Sequence, residues 1–187
     1  MDGTEVLKCI SILELRERLM VRLAIFAGMR PGEIFGLQWR HVQADHIRVE
    51  QRVYHGALDS PKSRRSVRRV ALSPSVLADV AEWRKLALDP RPEGWLFPSE
   101  NAQKPVRPEN VWRRHIGAKL EKVGLDWVNF QVMRRTHATL ARKAGADPKA
   151  IADQLGHGLG VGLEVYARAD LEALTANVRK MESSIIQ

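Results

Sequence analysis

Four residues stand out for the chemistry their types allow: Arg30, Arg134, His157 and Tyr166. Arginine carries a permanent charge on a planar fork that matches two phosphate oxygens, which lysine cannot do. Tyrosine becomes a nucleophile only when its phenol, with an ordinary pKa of about 10, meets a base or a strongly positive site. Histidine can donate a hydrogen bond from a ring nitrogen. His157 follows Arg134 by 23 residues, and Tyr166 follows His157 by 9. Singly, each has an ordinary reading: surface arginines, a capping histidine, and a half-buried tyrosine on a late amphipathic helix. Only the joint pattern points to chemistry.

Composition narrows the partner. Thirty Lys and Arg against 22 Asp and Glu give a net charge of +8 in 187 residues. The pI near 10.1 makes a polyanion a serious candidate. Lys62, Arg64, Arg65, Arg68 and Arg69 fall within eight residues, and Arg107, Arg113, Arg114, Lys119 and Lys122 form a second group. Both groups suit a phosphate backbone, and a solvated basic surface is the plainer reading of either one. The length fits one domain with a proper core, and 44% hydrophobic with 28% charged residues fits a globular protein. The longest apolar stretch, LMVRLAIFAGM, is broken by Arg22 and too short to span a bilayer. The start, MDGTEVLKC, has no basic segment feeding an apolar one, so neither export nor a membrane is expected. A single cysteine, Cys9, excludes an intrachain disulfide and a CxxC motif and suits a reducing, cytoplasmic compartment. No HExxH or clustered-carboxylate pattern suggests a metal-dependent nuclease.

The elements that must position these residues are legible as periodicities. Ser11 with Glu14 reads as a capping box, followed by Leu15, Leu19, Leu23 and Phe26 on one helical face ending near Gly28. Pro31 then opens a short helix to about Leu37, which leaves Arg30 at a sharp corner. Alternation from His46 to Tyr54 predicts a half-buried strand with Ile47, Val49 and Val53 inward. A second strand around Val67 to Leu72 predicts an antiparallel hairpin or small sheet with Lys62 near its tip. Ser73 and Pro74 start a helix with Leu77, Val80, Ala81 and Leu88 on its period. Trp112, Ile116, Leu120 and Val123 mark another, ending at Gly124. Asp147 and Pro148 open a short helix containing Ile151, Ala152 and Leu155. The glycine-rich GHGLGVG that follows reads as a loop or hinge, because it lacks the strand and spacing of a phosphate cradle.

Three segments, AGMRPGEIFGLQW, QVMRRTHATL and LGHGLGVGLEVY, resemble in order the arginine box, the second basic box and the His-to-Tyr segment of tyrosine recombinases of the phage-integrase type. The resemblance runs from about Ser11 to the C-terminus. It implies a mainly α-helical α+β catalytic domain with a small antiparallel sheet. The implied activity is site-specific recombination or integration, with DNA cut and rejoined through a 3′-phosphotyrosyl intermediate formed by Tyr166. It implies no metal, ATP or other cofactor. The pentacoordinate phosphorus formed in such a step carries extra negative charge and needs fixed cations, which Arg30 and Arg134 would supply, with His157 donating to a non-bridging oxygen. SPKSRRSVRRVAL resembles the family's hairpin lysine and basic strand, which makes Lys62 the candidate acid for the leaving 5′-oxygen. Glu33 matches an acidic position that buttresses the arginines, and is also a favourable first-turn carboxylate.

One position departs from the pattern. The second box usually begins with histidine three residues before its arginine, and here that place holds Gln131. An amide can orient a phosphate oxygen or the phenol but cannot act as a general base. His137, at about 100° per residue, lies about 240° round the helix from Gln131 and is not expected to stand in for it. Arg64, Arg65, Arg113, Arg114 and Arg135 are the expected contacts to double-stranded DNA. Relatives of this type usually carry an upstream clamping domain. Residues 1–187 are therefore expected to be an isolated catalytic domain, monomeric alone with weak, salt-sensitive binding, and self-associating on DNA as a tetrameric synapse when full-length. The competing reading is a DNA-binding module, or a degenerate recombinase that binds without cutting, because LARKAGADPKAIADQLG also resembles a helix-turn-helix.

Overall fold

The computed structural model describes residues 1–54, 56–59, 67–100 and 102–156. Lys62, Arg64, Arg65, His157, Tyr166, the glycine-rich segment after Gly156 and the tail beyond it lie outside the described residues.

The architecture is mainly helical with small antiparallel ladders. Helix α1 (Gly3–Ser11) begins in a capping box between Asp2 and Glu5, and α2 (Leu15–Ile25) follows it. This corrects the expected box at Ser11 and Glu14: the Ser11 hydroxyl instead donates to the Lys8 carbonyl at 3.0 Å, closing α1. α2 is the central helix, with Leu19, Met20, Val21, Leu23, Ala24 and Ile25 all buried. An element enclosed on nearly every side needs apolar residues all round, so the single stripe read from the sequence understated it. Helix α3 (Pro31–Phe35) starts at proline with Arg30 as its N-cap residue, as expected.

The predicted long strand is two strands, β1 (His46–Val49) and β2 (Arg52–Tyr54). Between them, Gln51 turns its amide to the Gly36 carbonyl at 2.7 Å. β1 pairs antiparallel with β4 (Arg68–Ala71), setting Ile47 opposite Val70, while β2 pairs with β3 (Ala57–Asp59). The expected antiparallel hairpin or small sheet is thus two short nested ladders.

Helix α4 (Pro74–Lys85) buries Val76, Asp79 and Val80. Ala81 and Leu88 are exposed, so its inward face sits one position from the one predicted. The cause is electrostatic. Asp79 is drawn inward by Arg18 at 3.0 Å and Arg22 at 2.7 Å, both on α2. The next helical run is α5 (Pro108–Val111), a π turn (Trp112–Ile116) and α6 (Gly117–Glu121). Helices α7 (Phe130–Lys143) and α8 (Pro148–Leu155) complete the described chain. Phe35, Phe97 and Phe130 form an aromatic centre, with Phe35 edge-on to Phe130 at 5.7 Å. Cys9 is fully buried in this core, and burial pushes its thiol up to about 12, which leaves it inert. Among the described residues no helix is long and apolar enough to cross a membrane.

Candidate functional site

The site is assembled where α2 ends. Gly28 takes a left-handed φ of +64°, and a Cβ there would lie 2.7 Å from the Leu155 side chain and 2.9 Å from the His137 ring. This turn delivers Arg30 to the start of α3. There its backbone N–H donates to Glu33 Oε2 and its Nη1 to Glu33 Oε1, both at 2.9 Å. Glu33 is 4% exposed.

Glu33 also receives Arg68 from β4, Nη1 to Oε1 at 2.9 Å and Nη2 to Oε2 at 3.0 Å. Burial pushes the Glu33 carboxyl up. The hydrogen bonds and charge of Arg68, then those of Arg30, outweigh it and hold the group below the usual carboxylate range. Arg68 was expected within the basic surface cluster, and this is a correction: its side chain is 7% exposed and ion-paired.

Arg134 comes from α7 and is itself 7% exposed. Its Nη1 donates to the Gly28 carbonyl and its Nη2 to the Leu155 carbonyl at 2.6 Å. Three guanidiniums therefore meet three successive carbonyls at the end of α8: Arg68 Nε on Gln154 at 2.9 Å, Arg134 on Leu155, and Arg30 Nη2 on Gly156 at 3.5 Å. The last carbonyls of a helix have no partner within it and carry its negative dipole end, so cations are the natural cap. Gly156 itself is left-handed, φ +65°, and a Cβ there would sit 3.0 Å from the Arg68 side chain. Gln154 adds a tie to the end of β4, accepting from the Ala71 N–H and donating to the Ala71 carbonyl, both at 3.0 Å.

Arg30 and Glu33 of α3 and its N-cap, Arg68 of β4 and Arg134 of α7 are thus brought together from three elements, and the next residue in the sequence after Gly156 is His157. Gln131 is exposed in the first turn of α7, whose N-cap is Asn129. His137 is occupied elsewhere, its Nδ1–H donating to the Ile25 carbonyl at 3.0 Å. Arg113 and Arg114 are exposed on the π turn, and Arg135 is exposed on α7. No group of three or more His, Cys, Asp or Glu suited to a metal occurs among the described residues.

Sequence reasoning missed Arg68 and Gln154. The signal for Arg68 was parity: it shares a strand face with Val70, which is fully buried.

Comparison with known proteins bears on the family and the fold. The model of the phage integrase family matches residues 2–172. Tyrosine recombinase XerA of Pyrococcus horikoshii is 25% identical over 177 residues, covering 94% of this chain and 59% of its own length. A putative integrase/recombinase, y4qK, of Sinorhizobium fredii is 29% identical over 150 residues, or 78% of this chain and 44% of its own. The chain thus spans about half the length of these curated relatives. Among solved structures, the Tn1549 transposon integrase in complex with circular intermediate DNA has a TM-score of 0.81 at 19% identity, covering 97% of this chain and 66% of that one. A crystal structure of XerA recombinase has a TM-score of 0.72 at 21% identity, covering all of this chain and 63% of the other.

Proposed function

Because this chain belongs to the phage integrase family, we propose that it is the catalytic domain of a site-specific recombinase that breaks and rejoins double-stranded DNA through a phosphotyrosyl intermediate. The observation that carries the proposal is the meeting of Arg30 and Arg134, distant in sequence, on the carbonyls immediately before His157. A structural role alone would not call for so much positive charge at one helix end. A phosphodiester in its transition state would.

In the proposed step the Tyr166 phenol, its acidity raised by the arginines, gives its proton to water as its oxygen attacks phosphorus; a bond to the 3′ phosphate forms, and the bond to the 5′-oxygen breaks. Lys62 gives the departing oxygen its proton. Arg30 and Arg134 offset the charge gathering on the non-bridging oxygens, with His157 donating to one of them. The 5′-hydroxyl of another strand then reverses the step. The scheme uses side chains alone, with no metal or ATP. Arg113, Arg114 and Arg135, together with Arg64 and Arg65, would hold the backbone, and copies of the protein would associate on DNA in the cytoplasm.

The rival reading, a binding module, sends α8 into a DNA groove. Yet α8 packs Ile151 and Leu155 against Ala138, and its C-terminal carbonyls are held by arginines. A nicked duplex whose small leaving piece diffuses away tests the proposal. Wild-type protein should become covalently trapped on it, and Tyr166→Phe should bind without trapping. Trapping that survives in Tyr166→Phe would defeat the reading.

A further inference from the structure

We propose that Arg68 is a positioning residue that keeps the arginine cluster positive toward the DNA and fixes the end of α8, and this rests on the recombinase reading above. Arg68 sits in a run of basic residues suited to phosphate contacts, yet its guanidinium points inward. Nη1 and Nη2 span the Glu33 carboxylate at 2.9 and 3.0 Å, and Nε reaches the Gln154 carbonyl at 2.9 Å.

Charge accounts for the need. Glu33 is buried and ionised, and it accepts from both Arg30 and Arg68. With both arginines present, two cations surround one carboxylate and a net positive charge remains. Without Arg68, Arg30 and Glu33 would form a neutral pair. Arg30, whose side chain is 38% exposed against 7% for Arg68, would then offer a phosphate oxygen a dipole in place of a cation. Arg68 also carries the geometry. Its planar fork serves Glu33 on β4's inner side while Nε holds the α8 carbonyl two residues before Gly156, so one group sets both Arg30 and the approach to His157. A lysine ammonium has no fixed fork and cannot hold both sets of acceptors at once.

The test measures adduct formation on the nicked duplex at saturating protein, with DNA affinity measured in parallel. Arg68→Gln is expected to slow trapping by about tenfold or more while affinity stays within about threefold. In the Glu33→Gln/Arg68→Gln double variant the buried carboxylate is gone too, so Arg30 regains its net charge and the rate should recover by about threefold or more over Arg68→Gln. Two outcomes overturn the proposal. One is a tenfold loss of affinity with an unchanged rate at saturation, which would make Arg68 a phosphate contact. The other is a double variant as slow as Arg68→Gln or slower, which would make it merely structural. If Arg68→Gln does not fold, Arg68→Lys serves: trapping about tenfold slower at retained affinity is expected, and a wild-type rate overturns the proposal. Wild-type protein that forms no adduct would defeat the recombinase reading and this proposal with it, whereas an adduct indifferent to Arg68 would defeat this proposal alone.

Discussion

The guanidinium of Arg134, on α7, donates to the carbonyl of Leu155, the last residue of α8, at 2.6 Å. The same group reaches the Gly28 carbonyl, so one buried cation ties α7 to α8 and to the turn after α2. Replacement by lysine forfeits at least one of these bonds and leaves a main-chain acceptor dry. Arg134→Lys should therefore lower stability by about 2 kcal/mol, which for a chain of this size is a fall of about 4–8 °C in Tm by thermal denaturation. An unchanged Tm would mean that these carbonyls find other donors.

Gly28→Ala tests how tightly the site is closed. The added methyl must adopt a left-handed backbone and lies 2.7 Å from Leu155 and 2.9 Å from the His137 ring. Backbone strain and overpacking together should cost about 2–4 kcal/mol in denaturant unfolding. A loss below about 1 kcal/mol would show that α8 can move away freely, contrary to its arginine cap.

Acid should weaken the fold through two buried histidines. Burial, together with nearby Arg134, holds His137 below the ordinary histidine range, and burial likewise lowers His41, whose Nδ1 accepts from the Gln38 N–H at 2.9 Å. Below pH about 6.5 the unfolded chain takes up protons at both positions while the folded chain resists them. Stability is thus full above that pH and lost as the pH falls. Each histidine contributes at most about 1.4 kcal/mol per pH unit. Unfolding measured at pH 7.5 and 5.5 should show this loss, and His137→Gln should remove roughly half of it. Equal pH sensitivity in the variant and the wild type would contradict the assignment.

Gln131 is exposed at the start of α7, three residues before Arg134 on the same helix. Gln131→His should fold normally and keep or raise the trapping rate, since it adds a titratable group where the amide only hydrogen-bonds. A folded Gln131→His protein unable to cut would count against placing this residue beside the scissile phosphate.

Much of this arrangement was legible in the sequence, and the exceptions have physical causes. Pro31 and the corner at Arg30 were readable because proline fixes the first turn of a helix. The inward side chains Ile47, Val49 and Val53 followed from strand alternation. β3 was invisible because Ala57, Leu58 and Asp59 are all exposed and show no alternation. The face of α4 was misjudged because a buried aspartate, held by two arginines on α2, replaces an apolar residue in the stripe. Arg68 shows the same limit in the site itself. Charge reads as surface until its partner is known, and Glu33 lies 35 residues away.

The central claim is that Tyr166 carries the DNA. The chain has two tyrosines, and the other, Tyr54, is 56% exposed on β2 with the Arg52 guanidinium 4.9 Å from its ring. It is therefore a chemically credible competitor, an accessible phenol beside a cation. Protein trapped on a nicked duplex, digested and sequenced by mass spectrometry, will show which phenol is bonded to the 3′ phosphate. The account predicts the nucleotide on the peptide containing Tyr166, and a nucleotide on the Tyr54 peptide would contradict it.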